Sequence, residues 1–331
     1  MRGSSDLIYV INPLPKTLFH YENALLAMLS ESGVKARVMP SPSVEVGMAH
    51  ENRALIALRS AWSRLRLLGR PRGTVIGLWP ALGLLECLLY LPTSLRHDVL
   101  LIIHDPIPLR RQFGYSRACR FVARICTALS PRLTLVTHTR LAQKDLQRWA
   151  RCQSLRLPHP LSPIDPAATQ PVSDQPVIVR VLGQYKPSRD LEPLVCIART
   201  SDPGAQLEIL GRGWPAIEGW NVVNNFLNED EFDRCIRTAS CVVIPYARFY
   251  QSGVAARCAE AAVPIVGPAH EHLQELYGAE WPGLVHGGDG WSRAVTAALA
   301  YDRNILASTT AERRMTLHAQ WTAALKDPPS A

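Results

Sequence analysis

Residues 250–257 read Y-Q-S-G-V-A-A-R and follow the strand-like run C-V-V-I-P-Y (241–246). Serine is a strong helix N-cap, and a glycine behind it lets a ligand reach the first backbone N–H groups that a helix leaves without partners. Ser252 and Gly253 thus mark a possible anion site, although the same pair opens many helices that bind nothing. A second stretch, G-Q-Y-K-P-S-R-D (183–190), follows the strand-like P-V-I-V-R-V-L-G (176–183) and sets Lys186 and Arg189 at the C-terminal mouth of that strand. If both strands belong to one parallel sheet, the two cations and the helix start share an edge. Together they suit a diphosphate: each oxygen takes a backbone N–H or a charged donor, and the helix end contributes about 0.3–2 kcal/mol. Taken singly, Lys186 and Arg189 read as loop residues beside Asp190 and Glu192.

The elements that must position these groups are legible as short apolar runs. Strands are expected at 7–11, 34–39, 74–79, 99–104, 133–138 and 154–158, with helices near 17–32, 51–68, 81–91, 115–129 and 139–150. A second series has strands at 176–183, 206–211, 221–226, 241–246, 264–268 and 283–286. Its helices fall near 190–200, 228–239, 252–262, 270–277, 290–301 and 304–325. Continuous Val, Ile and Leu runs fit parallel strands covered on both faces, so the fold class is α/β, with two Rossmann-like domains. Residues 160–176 carry five prolines and little to pack, and read as a linker. The expected division is a domain at 1–165, a linker at 166–176, a second domain at 177–303 and a C-terminal helix from 304 that packs back on the first domain. Ligands of such sheets sit outside the C-terminal ends of the strands.

The first half offers L-L-I-I-H-D-P-I-P (101–109), where His104 ends a buried strand, and T-H-T (137–139), which does the same with His138. Histidines at such places serve a site or simply satisfy a core. Asn12 and Lys16 follow the first strand. Charge is uneven: residues 1–160 hold 22 Lys and Arg against 9 Asp and Glu, and the remainder hold 14 against 19, which sums to the net +8. The helical pattern over 57–72 puts Leu58, Trp62 and Leu65 on one face and Arg59, Arg66 and Arg70 on a neighbouring stripe. Such a helix packs its apolar face on a core or lies on an anionic membrane; the basic half favours the membrane. The eight cysteines are scattered singly, with no C-x-x-C pair and no metal spacing, so neither a disulfide framework nor a structural metal is expected. The first residues hold too short an apolar run for a signal peptide, and 78–91 is too short to span a bilayer, which points to a cytoplasmic protein.

Residues 176–277 resemble the nucleotide-binding domain of GT-B glycosyltransferases of the group 1, retaining type. The resemblance is carried by V-L-G-Q-Y-K-P-S-R-D, L-E-I-L-G-R-G, the run from N-V-V-N-N-F-L-N to C-V-V-I-P-Y, and Q-S-G-V-A-A-R-C-A-E-A-A-V-P-I-V-G, in that order and phase. It implies that Arg189 and Lys186 bind the diphosphate and that Ser252, Gly253 and Val254 offer a hydroxyl and amides to the distal phosphate. It implies further that Gly183 and Gln184 border the nucleotide and that Phe226 and Leu227 lie beside its base. By the same resemblance His104 contacts the donor sugar; Tyr250 and Gln251 are expected as substitute contacts to sugar or ribose where the chain departs from the family's pattern. No cofactor beyond the nucleoside-diphosphate sugar is implied, and no metal. Partners would be that donor, a glycolipid or glycan acceptor and an anionic membrane surface.

The chain departs from the family in two places. The acidic E-x7-E pair of many relatives falls on Phe249 and Arg257, and the arginine after the strand glycine is Gln184. An epimerase or hydrolase acting on sugar nucleotides, or a relative that binds nucleotide without turnover, would share the phosphate site. Nucleic acid is not expected as a partner, since the sequence has neither a recognition helix nor a stacking motif.

Overall fold

Short runs of Val, Ile and Leu build two parallel sheets in a computed structural model of the chain, which describes residues 7–45, 53–109, 112–164, 176–288 and 290–326. The chain divides into two units, the first running to Ser162 and taking in the last helix from Leu317, the second running from Pro163 to Thr316.

In the first unit the strands are β1 (Leu7–Ile11), β2 (Lys35–Met39), β3 (Thr74–Gly77), β4 (Asp98–Ile102), β5 (Leu133–Thr137) and β6 (Ser154–Arg156), in the order β2-β1-β3-β4-β5-β6. Each neighbouring pair is parallel. Because side chains alternate along a strand, each strand feeds two cores. Tyr9 and Ile11 of β1 face one cluster; Ile8 and Val10 face the other. The helices α3 (Glu86–Ser94), α4 (Arg117–Leu129) and α5 (Arg140–Ala150) belong to the first side, with α2 (Arg53–Leu65) packed on α3, and α1 (Phe19–Glu31) belongs to the second. The second side is completed from far along the chain, where Trp321, fully buried, packs among Leu25, Met28 and Leu157 and donates its indole N–H to the Pro158 carbonyl at 2.8 Å.

In the second unit β7 (Ile178–Leu182), β8 (Gln206–Leu210), β9 (Asn221–Val223), β10 (Cys241–Val243), β11 (Ile265–Pro268) and β12 (Leu284–Val285) stand in the order β12-β11-β10-β7-β8-β9. The chain runs outward from β7 to β9, then returns to β10 on the other side of β7 and runs outward again. The direction reverses between β7 and β10, and that switch point is where open α/β sheets leave room for a ligand at the C-terminal strand ends. Its helices are α6 (Glu192–Thr200), α7 (Glu229–Arg237), α8 (Gly253–Glu260), α9 (Glu271–Tyr277), α10 (Trp291–Leu299) and α11 (Arg303–Lys326), the last of which ends in the first unit.

Three expectations are corrected. The strand expected over 241–246 stops at Val243, because Pro245 has no N–H for the ladder and Tyr246 turns back to bond Ile244. The strand expected over 221–226 stops at Val223. Pro92 does not end α3, which continues to Ser94: its missing N–H costs one bond, and packing at Cys87, Tyr90 and Thr93 holds the last turn.

The segment 57–72 does not pack its apolar face on the core. α2 turns Ile56, Ser60 and Arg64 inward, and leaves Leu58 and Trp62 more than half exposed. Arg64 is held inside by Glu86, whose Oε1 accepts from Nη2 at 2.7 Å while Oε2 accepts from the Leu82 amide; both side chains are fully buried. Breaking such a pair strands one charge in a low-dielectric interior. Arg64→Met is expected to cost roughly 3–5 kcal/mol in urea unfolding, and adding Glu86→Leu to restore most of it. A double variant as unstable as the single one would contradict this account.

Candidate functional site

The site grows from the end of β7. Gly183 follows it at φ +92°, a conformation that a side chain resists, and a Cβ there would press on the Arg189 guanidinium. Gly211, at the end of β8, comes so close that its Cβ would strike the Gly183 carbonyl at 2.3 Å. These two glycines bring the β7 and β8 loops together. Into the gap falls Trp214, 4% exposed, which donates its indole N–H to the Gly183 carbonyl at 2.8 Å and is fixed at its backbone by both polar ends of Asn224.

Arg189 lies against this ring. Its backbone bridges Tyr246 at the end of β10, so the loops after β7 and β10 are tied across the switch point. The guanidinium sits over Trp214 at 4.8 Å and over Tyr246 at 4.9 Å, and one N–H donates to the Leu182 carbonyl at 2.9 Å. Only 7% of the residue is exposed, no carboxylate among the described residues pairs with it, and its Nε–H has no acceptor among them. Burial draws its pKa down from the ordinary value. A buried cation normally acquires a carboxylate; this one is held by two π faces and a carbonyl, which leave its positive charge uncancelled. A charge in that condition could receive an external anion.

The same edge carries the N-terminus of α8. Ser252 caps it, its Oγ accepting from the Ala255 amide at 3.2 Å and its carbonyl from Ala256 at 3.1 Å. The amides of Gly253 and Val254 thereby remain as the orphan donors of the first turn. A Cβ placed on Gly253 would meet open space, so the approach to those amides is unobstructed. Beneath the turn, His272 is buried and its Nε2–H donates to the Ser252 carbonyl at 3.3 Å; burial pushes its pKa down to about 4, so it stays neutral.

Around this centre the other sequence candidates take different positions. Lys186 and Gln184 are exposed, with the Lys186 carbonyl accepting from the Arg189 amide at 2.9 Å. Val254 and Gln251 are half-buried; Tyr250 is buried, with its hydroxyl accepting from Arg248 at 3.3 Å. Phe226, 70% exposed, and the half-buried Leu227 follow β9, two strands from Arg189. Strand spacing makes that separation roughly 10 Å, about the reach from a diphosphate to its base. Arg212 lies over the Phe226 ring at 5.1 Å. Where relatives have acids, Phe249 is buried and stacked on His270 at 4.0 Å, and Arg257 bonds Glu229 at 2.8 Å and also Asp233, fastening α8 to α7. The sequence reading gave no site role to Trp214, Tyr246, Arg212 or Gly211, although the last three lie in the motifs C-V-V-I-P-Y and L-E-I-L-G-R-G. The glycine of L-G-R-G after β8 was the one signal that could have found Gly211.

His104, in the first unit, is 4% exposed, and its Nε2–H donates to the Leu78 carbonyl at 2.8 Å. It stacks on Trp79 and meets Tyr21 and His138. His138 donates from Nδ1 to the Leu157 carbonyl at 2.8 Å, which fixes Nε2 as acceptor for the Tyr21 hydroxyl at 3.0 Å. With His159 these rings form one aromatic cluster beyond the strand ends. Asn12 is buried, with Nδ2 bonded to Glu22 at 2.6 Å, while Lys16 is exposed, its amide bonded to Glu45 at 2.7 Å.

No protein-family model matches the chain, and no curated protein matches it in sequence. Solved structures match it in fold. HepE from Anabaena, solved in complex with UDP-glucose, is similar over 96% of this chain and 99% of its own at 8% identity and a TM-score of 0.60. WaaG, a glycosyltransferase involved in lipopolysaccharide biosynthesis, is similar over 98% of this chain and 100% of its own at 14% identity and a TM-score of 0.59. Sucrose-phosphate synthase from Thermosynechococcus elongatus is similar over 96% of each chain at 15% identity and a TM-score of 0.64. The fold is that of the GT-B glycosyltransferases.

Two outcomes test this geometry. Arg189→Met, which keeps the bulk between Trp214 and Tyr246, is expected to retain the fold by circular dichroism and to lose at least tenfold in affinity for pyrophosphate by calorimetry. The pKa of His272 lies near 4 in the folded state against 6.5 for the free group. A histidine that resists protonation when folded adds stability above its unfolded pKa and loses it as pH falls. Acidification from pH 7 to pH 4 is therefore expected to cost up to roughly 3 kcal/mol through this residue. Urea midpoints of wild type and His272→Gln should converge at low pH; parallel pH curves would assign the acid sensitivity elsewhere.

Proposed function

We propose that this chain is a glycosyltransferase that moves a sugar from a nucleoside-diphosphate sugar to a hydroxyl of a glycolipid or glycan acceptor, with retention and without a metal. The observation that carries the reading is Arg189: a buried guanidinium, paired with no carboxylate among the described residues, on the same sheet edge as the open amides of α8. The fold it shares with HepE, solved with UDP-glucose and with UDP and glucose, supports a nucleotide-sugar donor.

In the proposed reaction the bond from the sugar's anomeric carbon to the diphosphate oxygen breaks. The acceptor oxygen bonds to that carbon on the same face, and its proton passes to the departing phosphate. Negative charge grows on the diphosphate as the sugar becomes oxocarbenium-like. Arg189, the exposed Lys186 and the Gly253 and Val254 amides stabilise that charge, the place where fixed donors lower a barrier most. Gly183 and Gln184 border the diphosphate, Phe226 and Leu227 the base, and Tyr250 and Gln251 the sugar or ribose. The acceptor is a precursor of an envelope polysaccharide or lipid, met at the cytoplasmic face of an anionic membrane.

One observation favours a second reading. Phe249 is committed to an aromatic stack and Arg257 to two carboxylates, so neither supplies the acidic contact that many relatives give the donor. A sugar-nucleotide epimerase or hydrolase, or a binding protein without turnover, would retain the diphosphate site and lose transfer.

Thermal-shift measurements against UDP, GDP and TDP are expected to single out one base. Chromatography of products from the matching sugar nucleotides then separates transfer from hydrolysis, epimerisation or silence. Transfer is expected to persist in EDTA and to fall at least a hundredfold in Arg189→Ala. Undiminished turnover in that variant would remove the diphosphate role from Arg189.

A further inference from the structure

Two helices of the first unit are inside out. α4 buries Cys119, Ala123 and Cys126, its small residues, and turns its large ones to solvent: Phe121 is 61% exposed and Leu129 68%. Phe121 and Ile125 share a stripe with Arg117 and Arg124, at the spacing of one helical face. α2 goes further. It buries Arg64 on Glu86 and exposes Leu58 by 67% and Trp62 by 61%, with Arg59 and Arg66 on the same outward side. A helix that needed only to cover the sheet would be turned the other way round.

Both helices lie in one layer. α2 packs on α3 and α3 on α4, and Cys87 and Tyr90 of α3 share a core cluster with Cys119 and Ala123 of α4. The outward side chains therefore belong to one surface, continued between them by Leu88 and, just past α3, by Leu95, which is 76% exposed. From Arg53 to Arg132 the chain holds 13 arginines, no lysine and three acids. Of the three, Glu86 is inside its ion pair, and Asp98 lies 3.8 Å from Arg132.

We propose that the α2–α3–α4 face is a docking surface for an anionic lipid bilayer. Trp62, Phe121 and Leu129 enter the boundary between headgroups and acyl chains, while Arg59, Arg66, Arg117 and Arg124 meet the lipid phosphates. Charge decides against a second copy, because a symmetric pair through this face would bring two arginine sets together with almost no carboxylate to receive them. A bilayer supplies what both components of the face lack: hydrocarbon for the aromatic and leucine side chains and fixed negative charge for the arginines. This gives the membrane partner of the proposed function its residues, including α4, which no sequence feature had singled out. The face itself stands on its own geometry, whatever the reaction.

The experiment is co-sedimentation of the full chain with phosphatidylglycerol vesicles and with phosphatidylcholine vesicles, alongside sedimentation velocity of the protein alone. Partition onto phosphatidylglycerol is expected to exceed that onto phosphatidylcholine at least tenfold and to weaken with salt. Phe121→Ser/Leu129→Ser and Arg117→Glu/Arg124→Glu are each expected to lower it at least tenfold, with circular dichroism and the nucleotide thermal shift unchanged. Equal partition onto both lipids, or variants that bind like wild type, would overturn the proposal. So would a dimer that the Phe121→Ser/Leu129→Ser variant abolishes, since the face would then belong to a second copy. Vesicle binding without a nucleotide shift would instead count against the proposed function and leave this face standing.

Discussion

The second unit is organised around a positive charge that the interior neither neutralises nor expels. A guanidinium beneath the surface of a sheet edge is costly unless its donors and its field are used. Arg189 uses one donor on Leu182 and spreads its field over two aromatic faces. For that, Trp214 must be brought in by the close approach of Gly211 to Gly183, and Tyr246 must leave its strand early enough to bridge residue 189. The truncated β10, the positive φ of Gly183 and the Asn224 clasp on Trp214 are thus parts of one arrangement. A carboxylate nearby would cancel the charge on which the proposed diphosphate site rests.

The helix start on the same edge complements that charge in a different way. Its donors are backbone amides, fixed in direction, whereas Lys186 is an exposed side chain. The neutral His272 under Ser252 adds no competing charge at neutral pH. Two backbone amides, one buried guanidinium and one exposed ammonium are the donors that the proposed diphosphate site relies on.

In the first unit the economy is reversed. There the polar expense lies inside, at the Arg64–Glu86 pair, and the apolar side chains that could have replaced it face outward. Burying an ion pair brings little net stability over a well-packed apolar core. An arrangement that accepts a buried pair while exposing tryptophan, phenylalanine and leucine on the neighbouring surface makes sense where that surface is itself covered.

Much of this was legible in the residues. Continuous β-branched and leucine runs determined the two parallel α/β series, Ser252 determined its own cap, and the G-Q-Y-K-P-S-R-D loop brought Arg189 under notice. These are local properties, set by φ preferences, missing N–H groups and a residue's nearest neighbours in the chain. Only the tertiary structure decided that Arg189 is buried and Lys186 is not, because Trp214 and Tyr246 arrive from other strands. It alone decided also which way α2 and α4 face. Helical periodicity says which side chains share a side; it carries no sign for inward, and that sign is fixed by what the neighbouring elements leave room to bury.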